Sequence, residues 1–108
     1  MSASMQPEPC RLRIEGDMTI YQVAELKDTF LTALERSPAV EVDLSAVSEM
    51  DGAGLQLLMM AREYSKAAMH EFRLVAPSRA VGEVLELLRL ENYFGVVPPA
   101  QPDPAGPS

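Results

Sequence analysis

The sequence predicts an α/β domain: a small mixed, mostly parallel sheet of four to five strands with helices packed on one face. Three observations predict it. Short runs that alternate polar and apolar residues recur at residues 11–15, 40–44 and 72–75, the period of a half-buried strand. Between them lie stretches whose apolar residues recur every three or four positions, the period of an amphipathic helix. The strands also alternate, whereas a parallel sheet covered on both faces reads as continuously apolar. The last point disfavours a doubly wound nucleotide-binding fold.

The elements follow in order. Arg11-Leu12-Arg13-Ile14-Glu15 is the first strand, and Gly16-Asp17 is a turn signal. Met18-Thr19-Ile20 is either a short second strand that pairs back as a hairpin or the lead into a helix. Val23, Leu26, Phe30, Ala33 and Leu34 then mark the first helix. Ser37-Pro38 ends it, because the residue before a proline is pushed out of the α region. Val40-Glu41-Val42-Asp43-Leu44 is a strand, residues 45–50 read as a loop, and Asp51 opens the second helix. Phe72-Arg73-Leu74-Val75 is a further strand. Ser78 is placed to cap the third helix, with Val81, Val84, Leu85 and Leu88 on one face. Leu90, Tyr93, Phe94 and Val96 close the core. Leu12, Ile14, Val40, Val42, Leu44, Phe72 and Leu74 can share one face of the sheet. Arg11, Arg13, Glu15, Glu41, Asp43 and Arg73 share the other, which reads as solvated.

Composition bounds the function. A chain of 108 residues suits one domain, here residues 10–97. Residues 1–9 and 98–108 are rich in Pro, Ser and Ala and read as disordered tails. No apolar stretch reaches the roughly 18 residues of a membrane span, and residues 1–9 lack the features of a secretory signal, so the expected location is the cytoplasm, with no direct membrane insertion. A net charge of −7 argues against nonspecific nucleic-acid binding. Cys10 is the single cysteine, which excludes an intrachain disulfide and a cysteine metal cluster. No cofactor and no metal are expected.

The segment Asp51-Gly52-Ala53-Gly54 invites chemical readings. Asp51 fits an N-cap, accepting from orphan amides at the positive end of the helix dipole. A phosphate loop needs a Lys and Ser/Thr after its glycines, but Leu55-Gln56 follow. A nucleophile elbow needs a Ser where Ala53 stands. The single His70 lies at the far end of the helix, with no catalytic partner in sight. The chain is therefore not expected to be an enzyme. A reading of another class is a receiver-like phosphoacceptor that uses Asp43, with Met50, Asp51 and Gly52 in the loop. It lacks the loop proline, the acidic pair after the first strand and the later lysine, and the chain is short by about one βα unit.

With these residues in view, the sequence resembles the STAS domain, the anti-sigma-factor antagonist family. The resemblance rests on "GDMTIYQVAELK", "VEVDLSAVSEMDGAGLQLL", "FRLVAPS" and "AVGEVLELLRL". Its most specific part is an apolar strand ending in Asp-Leu-Ser, then Asp-x-x-Gly-Leu opening a helix. The resemblance implies a regulatory protein-binding module whose hydroxyl residues after the motif Asp are phosphorylated by a kinase-type anti-sigma factor. Here Gly52 and Ala53 occupy those positions, and neither accepts a phosphate. The expectation is the non-phosphorylatable branch, resembling chemotaxis-associated and lipid-asymmetry-transporter STAS proteins. Its expected partner is an anti-sigma-factor kinase, an ABC ATPase or a chemotaxis or signalling protein. An accessory subunit of a phospholipid-transport ABC transporter is the alternative within the family. Ser45 and Ser48 are nearby substitute hydroxyls.

A helical wheel of the second helix puts Leu57, Met60, Ala61, Tyr64, Ala67 and Ala68 toward the sheet. Leu55, Leu58, Met59 and Met69 fall among the polar residues. Neighbouring loops or the third helix are expected to cover Leu55 and Leu58, leaving Met59 more exposed than either. The expected partner-binding surface is Ser45, Glu49, Met50, Asp51, Gly52, Ala53, Leu55, Gln56, Met59 and Arg62. A Met-rich helix is also compatible with a weak homodimer.

Overall fold

A computed structural model describes residues 9–95. The two expected tails therefore lie outside the described residues, apart from Pro9, and so does Val96. The element order is β1 (Cys10–Met18), α1 (Val23–Arg36), β2 (Ala39–Met50), α2 (Gly52–Ala67), β3 (Glu71–Val75), α3 (Arg79–Leu87) and the short α4 (Glu91–Phe94). The fold class is the expected one. The described sheet has three strands in the order β1-β2-β3, and both pairings are parallel.

The smaller strand count has a local cause. Gly16, at φ 89°, lets β1 continue through the expected turn, and the register slips on either side of it. Such bulges bend a strand without ending it. Thr19 to Gln22 then turn directly into α1, with the Gln22 and Val23 amides donating to the Thr19 carbonyl. The helix lead-in is the alternative realised at Met18-Thr19-Ile20. The expected loop 45–50 is likewise strand: Ala46, Val47, Glu49 and Met50 pair with Glu15, Gly16, Asp17 and Met18.

The two faces of the sheet divide as their alternation requires. Ile14, Val40, Val42, Leu44 and Leu74 are buried beneath the helices. On the open face Glu41 lies between Arg11 (2.9 Å) and Arg73 (4.0 Å), spanning all three strands. Exposed pairs of this kind contribute little stability. Phe30 and Leu34 of α1 and Val81 and Leu85 of α3 complete the core with Phe94. Leu88, expected on the inner face of α3, sits just past its last residue and is 51% exposed.

The buried stripe of α2 is rotated from the expected one. Gly54, Leu57, Leu58, Ala61 and Ser65 are buried, whereas Ala67 and Ala68 are exposed and Met60 and Tyr64 half-buried. The helix packs on α1 as well as on β3, so its covered face is set by two neighbours and not by the sheet alone.

Both long helices after β2 end in the same way. The His70 amide donates to the Ser65 carbonyl and the Met69 amide to that of Lys66; Leu90 and Arg89 repeat this on Leu85 and Glu86. This is the Schellman arrangement, which places one residue in the left-handed region. Here that residue is Met69 (φ 61°) or Arg89 (φ 58°), not glycine. Met69 is 91% exposed and gives up no packing. Met69→Gly is therefore expected to raise stability by about 0.5–1 kcal/mol, measured by urea denaturation with an unchanged m-value.

Candidate functional site

The start of α2 is held by one carboxylate. Asp51 is extended (φ −108°, ψ −171°), as an N-cap must be. Its Oδ1 accepts from the Ala53 amide (2.9 Å) and the Gly54 amide (3.1 Å). Its Oδ2 accepts from the Ile20 amide at 3.0 Å, and its own amide donates to the Met18 carbonyl at 3.3 Å. Asp51 thus ties the β1–α1 turn to the tip of α2 as well as capping the helix. Gly54 makes this close approach possible: a Cβ there would overlap the Met18 carbonyl oxygen. Gly52 faces open space.

The Ile20 amide, then that of Gly54 and, more weakly, that of Ala53 hold the Asp51 carboxyl below the usual carboxylate range, against an opposing upward push from desolvation. A depressed folded-state pKa adds stability that is complete above the unfolded value, about 3.9. It is lost as pH falls through the folded value. The stability difference between wild type and Asp51→Asn is therefore expected to be constant from about pH 7 to 5 and to shrink as pH falls below about 4, as read from denaturation midpoints at each pH.

Two residues absent from the sequence-derived surface border this tip. Ile20 is 60% and Tyr21 88% exposed, so the turn that Asp51 anchors presents an apolar and an aromatic side chain to solvent. An apolar pair in a turn connecting a strand to a helix was the available signal, but the turn's position beside α2 is a tertiary fact. On the other side, Thr19, Glu49, Met50 and Asp51 line a shallow groove of about 330 Å³ with Glu83 and Val84 of α3.

Of the expected surface residues, Asp51, Gly52 and Gln56 are exposed, Ala53, Leu55 and Met50 half-buried, Ser45 exposed in the middle of β2 and Glu49 exposed near its end. Met59, expected to be more exposed than Leu55 and Leu58, is half-buried like Leu55 and packs against the core. Arg62 lies about 16 Å along the helix from Asp51. Its guanidinium stacks 4.2 Å from the Tyr93 ring centre, its Nε donates to the Tyr93 carbonyl, and Nη1 pairs with Glu63 at 3.2 Å. It links α2 to α4. The Tyr93 hydroxyl donates to Glu63, which lowers the Glu63 pKa and raises that of Tyr93.

Asp43 lies in the first half of β2 on the open face and accepts from the Ser45 amide (2.9 Å) and hydroxyl (2.7 Å). These bonds lower its pKa. They are local bonds within β2 that account for the Asp-Leu-Ser sequence without chemistry. Among the described residues no three His, Cys, Asp or Glu side chains are arranged to hold a metal ion, and no helix is long and apolar enough to cross a membrane.

A family model described as "Mlab, STAS domain" matches residues 1–98. Among solved structures, a putative anti-sigma factor antagonist from Thermotoga maritima is 20% identical, with 80% of this chain and 75% of that one covered at a TM-score of 0.73. An anti-sigma factor antagonist from Mycobacterium paratuberculosis is 23% identical, with 83% and 76% covered at a TM-score of 0.74. The anti-sigma factor antagonist SpoIIAA in its unphosphorylated form is 18% identical, with 92% and 86% covered at a TM-score of 0.70. At these identities the likeness concerns the fold.

Proposed function

This chain belongs to the STAS domain family, and on that premise we propose that it is a non-enzymatic docking module that binds a kinase, ATPase or signalling protein through the N-terminal tip of α2. The supporting observation is the tip itself. A carboxylate with three amide partners fixes the β1–α1 turn against the helix start, and that turn presents Ile20 and Tyr21 to solvent. Apolar and aromatic side chains on a rigid platform are the usual anchors of a protein interface. Ser45, Glu49, Met50, Leu55, Gln56 and Met59 extend the surface around the tip, which alone is smaller than the roughly 800 Å² per partner of a standard interface.

The tip carries no hydroxyl at residues 52 and 53. A phosphate there would add about −1.5 to −2 charges beside Asp51 and oppose docking. Without an acceptor, the module stays in its binding-competent form. The same feature favours, as a second reading of the partner, the ATPase of a phospholipid-transport ABC assembly, since a permanently docked subunit needs no such switch.

The experiment pairs the wild type with Gly52→Ser, for which space is open, and Tyr21→Ala. Each is bound to the kinase or ATPase encoded beside it, with and without ATP. Wild-type binding is expected to be insensitive to ATP and free of label, and Tyr21→Ala to weaken it by at least about tenfold. Gly52→Ser is expected to fold normally and, with a kinase partner, to acquire both label and ATP-dependent release. Label on wild-type residues 45–54, or undiminished binding by Tyr21→Ala, refutes the reading.

A further inference from the structure

We propose that the free edge of β1, with the outer face of α1 beside it, docks a second copy of this chain in antiparallel orientation, joining two three-stranded sheets into one continuous sheet. Among the described residues β1 pairs with β2 on one side and with no strand on the other. α1 does not close over that edge: Cys10, Asp28, Thr29, Thr32, Ala33 and Arg36 line an open groove of about 490 Å³ between helix and strand. An unpaired edge presents a row of backbone donors and acceptors that a further strand can take.

The order of charges along β1 selects the occupant. Its outward residues are Arg11, Arg13, Glu15 and Asp17 in that order, all exposed except half-buried Asp17. Charges often guard a sheet edge, and a run of one sign repels a second copy. Two positive residues followed by two negative ones attract it. Antiparallel pairing about Ile14 sets Arg13 opposite Glu15 of the other copy and Arg11 opposite its Asp17, and the two-fold axis repeats both pairs. In a chain of net charge −7 this strip is neutral. Arg11 already pairs with Glu41 and Arg13 with Glu15 of its own strand, but each guanidinium has further N–H donors. Gly16 bends β1 just beyond the central Arg13–Glu15 pairs and not between them.

The face of α1 beside the groove is sorted in the same way. Asp28 stands at one end and Arg36 at the other, with Thr29, Thr32 and Ala33 between them. Neither charge has an ion-pair partner among the described residues. Antiparallel apposition about Thr32 sets Asp28 against Arg36 of the other copy, and the small residues between them permit close approach. One axis serves both elements. Ile14 lies about 13 Å from Met18 along β1, and Thr32 lies about 14 Å from Val23 along α1. Met18 and Val23 flank the same turn, so the two centres stand at the same height.

Sedimentation equilibrium and amide exchange of the full chain over a range of concentrations test the proposal. A reversible monomer–dimer equilibrium is expected, with added amide protection at residues 11–17 as the dimer forms. Glu15→Arg and Arg36→Asp, both at exposed positions, are each expected to raise the dimer dissociation constant by at least about tenfold, since each sets like charges together twice. The swaps Arg13→Glu/Glu15→Arg and Asp28→Arg/Arg36→Asp are expected to restore it, because each exchanges the two members of a pair and keeps the pairing. Urea midpoints of the single variants separate loss of pairing from loss of folding. A chain that stays monomeric at about 1 mM, or a dimer indifferent to both single reversals, overturns the proposal. So does protection at residues 71–75, which would place the contact on the other edge of the sheet. None of these readouts involves the docking partner or the Asp51 tip.

Discussion

Gly54→Ala is expected to cost about 2–4 kcal/mol of stability, a large share of the roughly 5–15 kcal/mol available to a domain of this size. The cause is one contact. A Cβ at residue 54 would overlap the Met18 carbonyl oxygen and lie 3.0 Å from its carbonyl carbon and 2.9 Å from Cγ of Met50. The methionine side chain can move aside. The Met18 carbonyl cannot, because it belongs to β1 and already accepts from the Asp51 amide. The tip of α2 must therefore back away from β1, and the Asp51–Ile20 bond opens with it. Gly52→Ala is the control. It lies two positions away on the same helix with nothing within 4 Å, and there alanine is expected to stabilise by about 0.5–1 kcal/mol through its smaller unfolded-state entropy. Urea denaturation of the two variants measures the contrast. A Gly54→Ala protein within about 0.5 kcal/mol of wild type would mean that the helix does not rest on that carbonyl, and the proposed docking tip would lose its rigid base.

Leu58→Ala is expected to cost about 2–5 kcal/mol, the range for a leucine removed from a packed interior. Leu58 is 0% exposed and lies in the core cluster with Leu57 and Ala61. Leu55 and Met59, one step around the same helix, are half-buried and pack on the edge of that cluster. Their alanine variants are expected to lose less, about 1 kcal/mol each, because part of each side chain already meets water. This order matters for function. Leu55 and Met59 are the apolar positions of α2 where a substitution can test docking in a protein that still folds, and Leu58 is not. Equal losses at all three sites, measured by denaturant midpoint and slope, would place Leu55 and Met59 inside the core and remove them from the proposed surface.

Much of this was legible in the residues. Strand alternation at 11–15, 40–44 and 72–75 follows from a sheet wet on one side, so the pattern determined both the one-sided layering and the charged open face. Asp51 and Ser78 determined two helix starts, because an N-cap needs an oxygen acceptor at that position and few residue types supply it. The same reading showed that residues 52 and 53 offer no hydroxyl. Tertiary structure decided what depends on neighbours distant in sequence. The turn signal at Gly16 became a bulge because β2 continues alongside it as far as Met50. The inward stripe of α2 turned toward Leu58 and Ser65 because α1 covers the helix as well as the sheet, and a wheel drawn for one packing surface cannot weigh two. Arg62 went to Tyr93 because α4 folds back beside α2. Ile20 and Tyr21 joined the candidate site only because the second oxygen of Asp51 reaches across to the turn that carries them. Local sequence sets which backbone groups need partners, and the packing of distant segments sets which partners they meet.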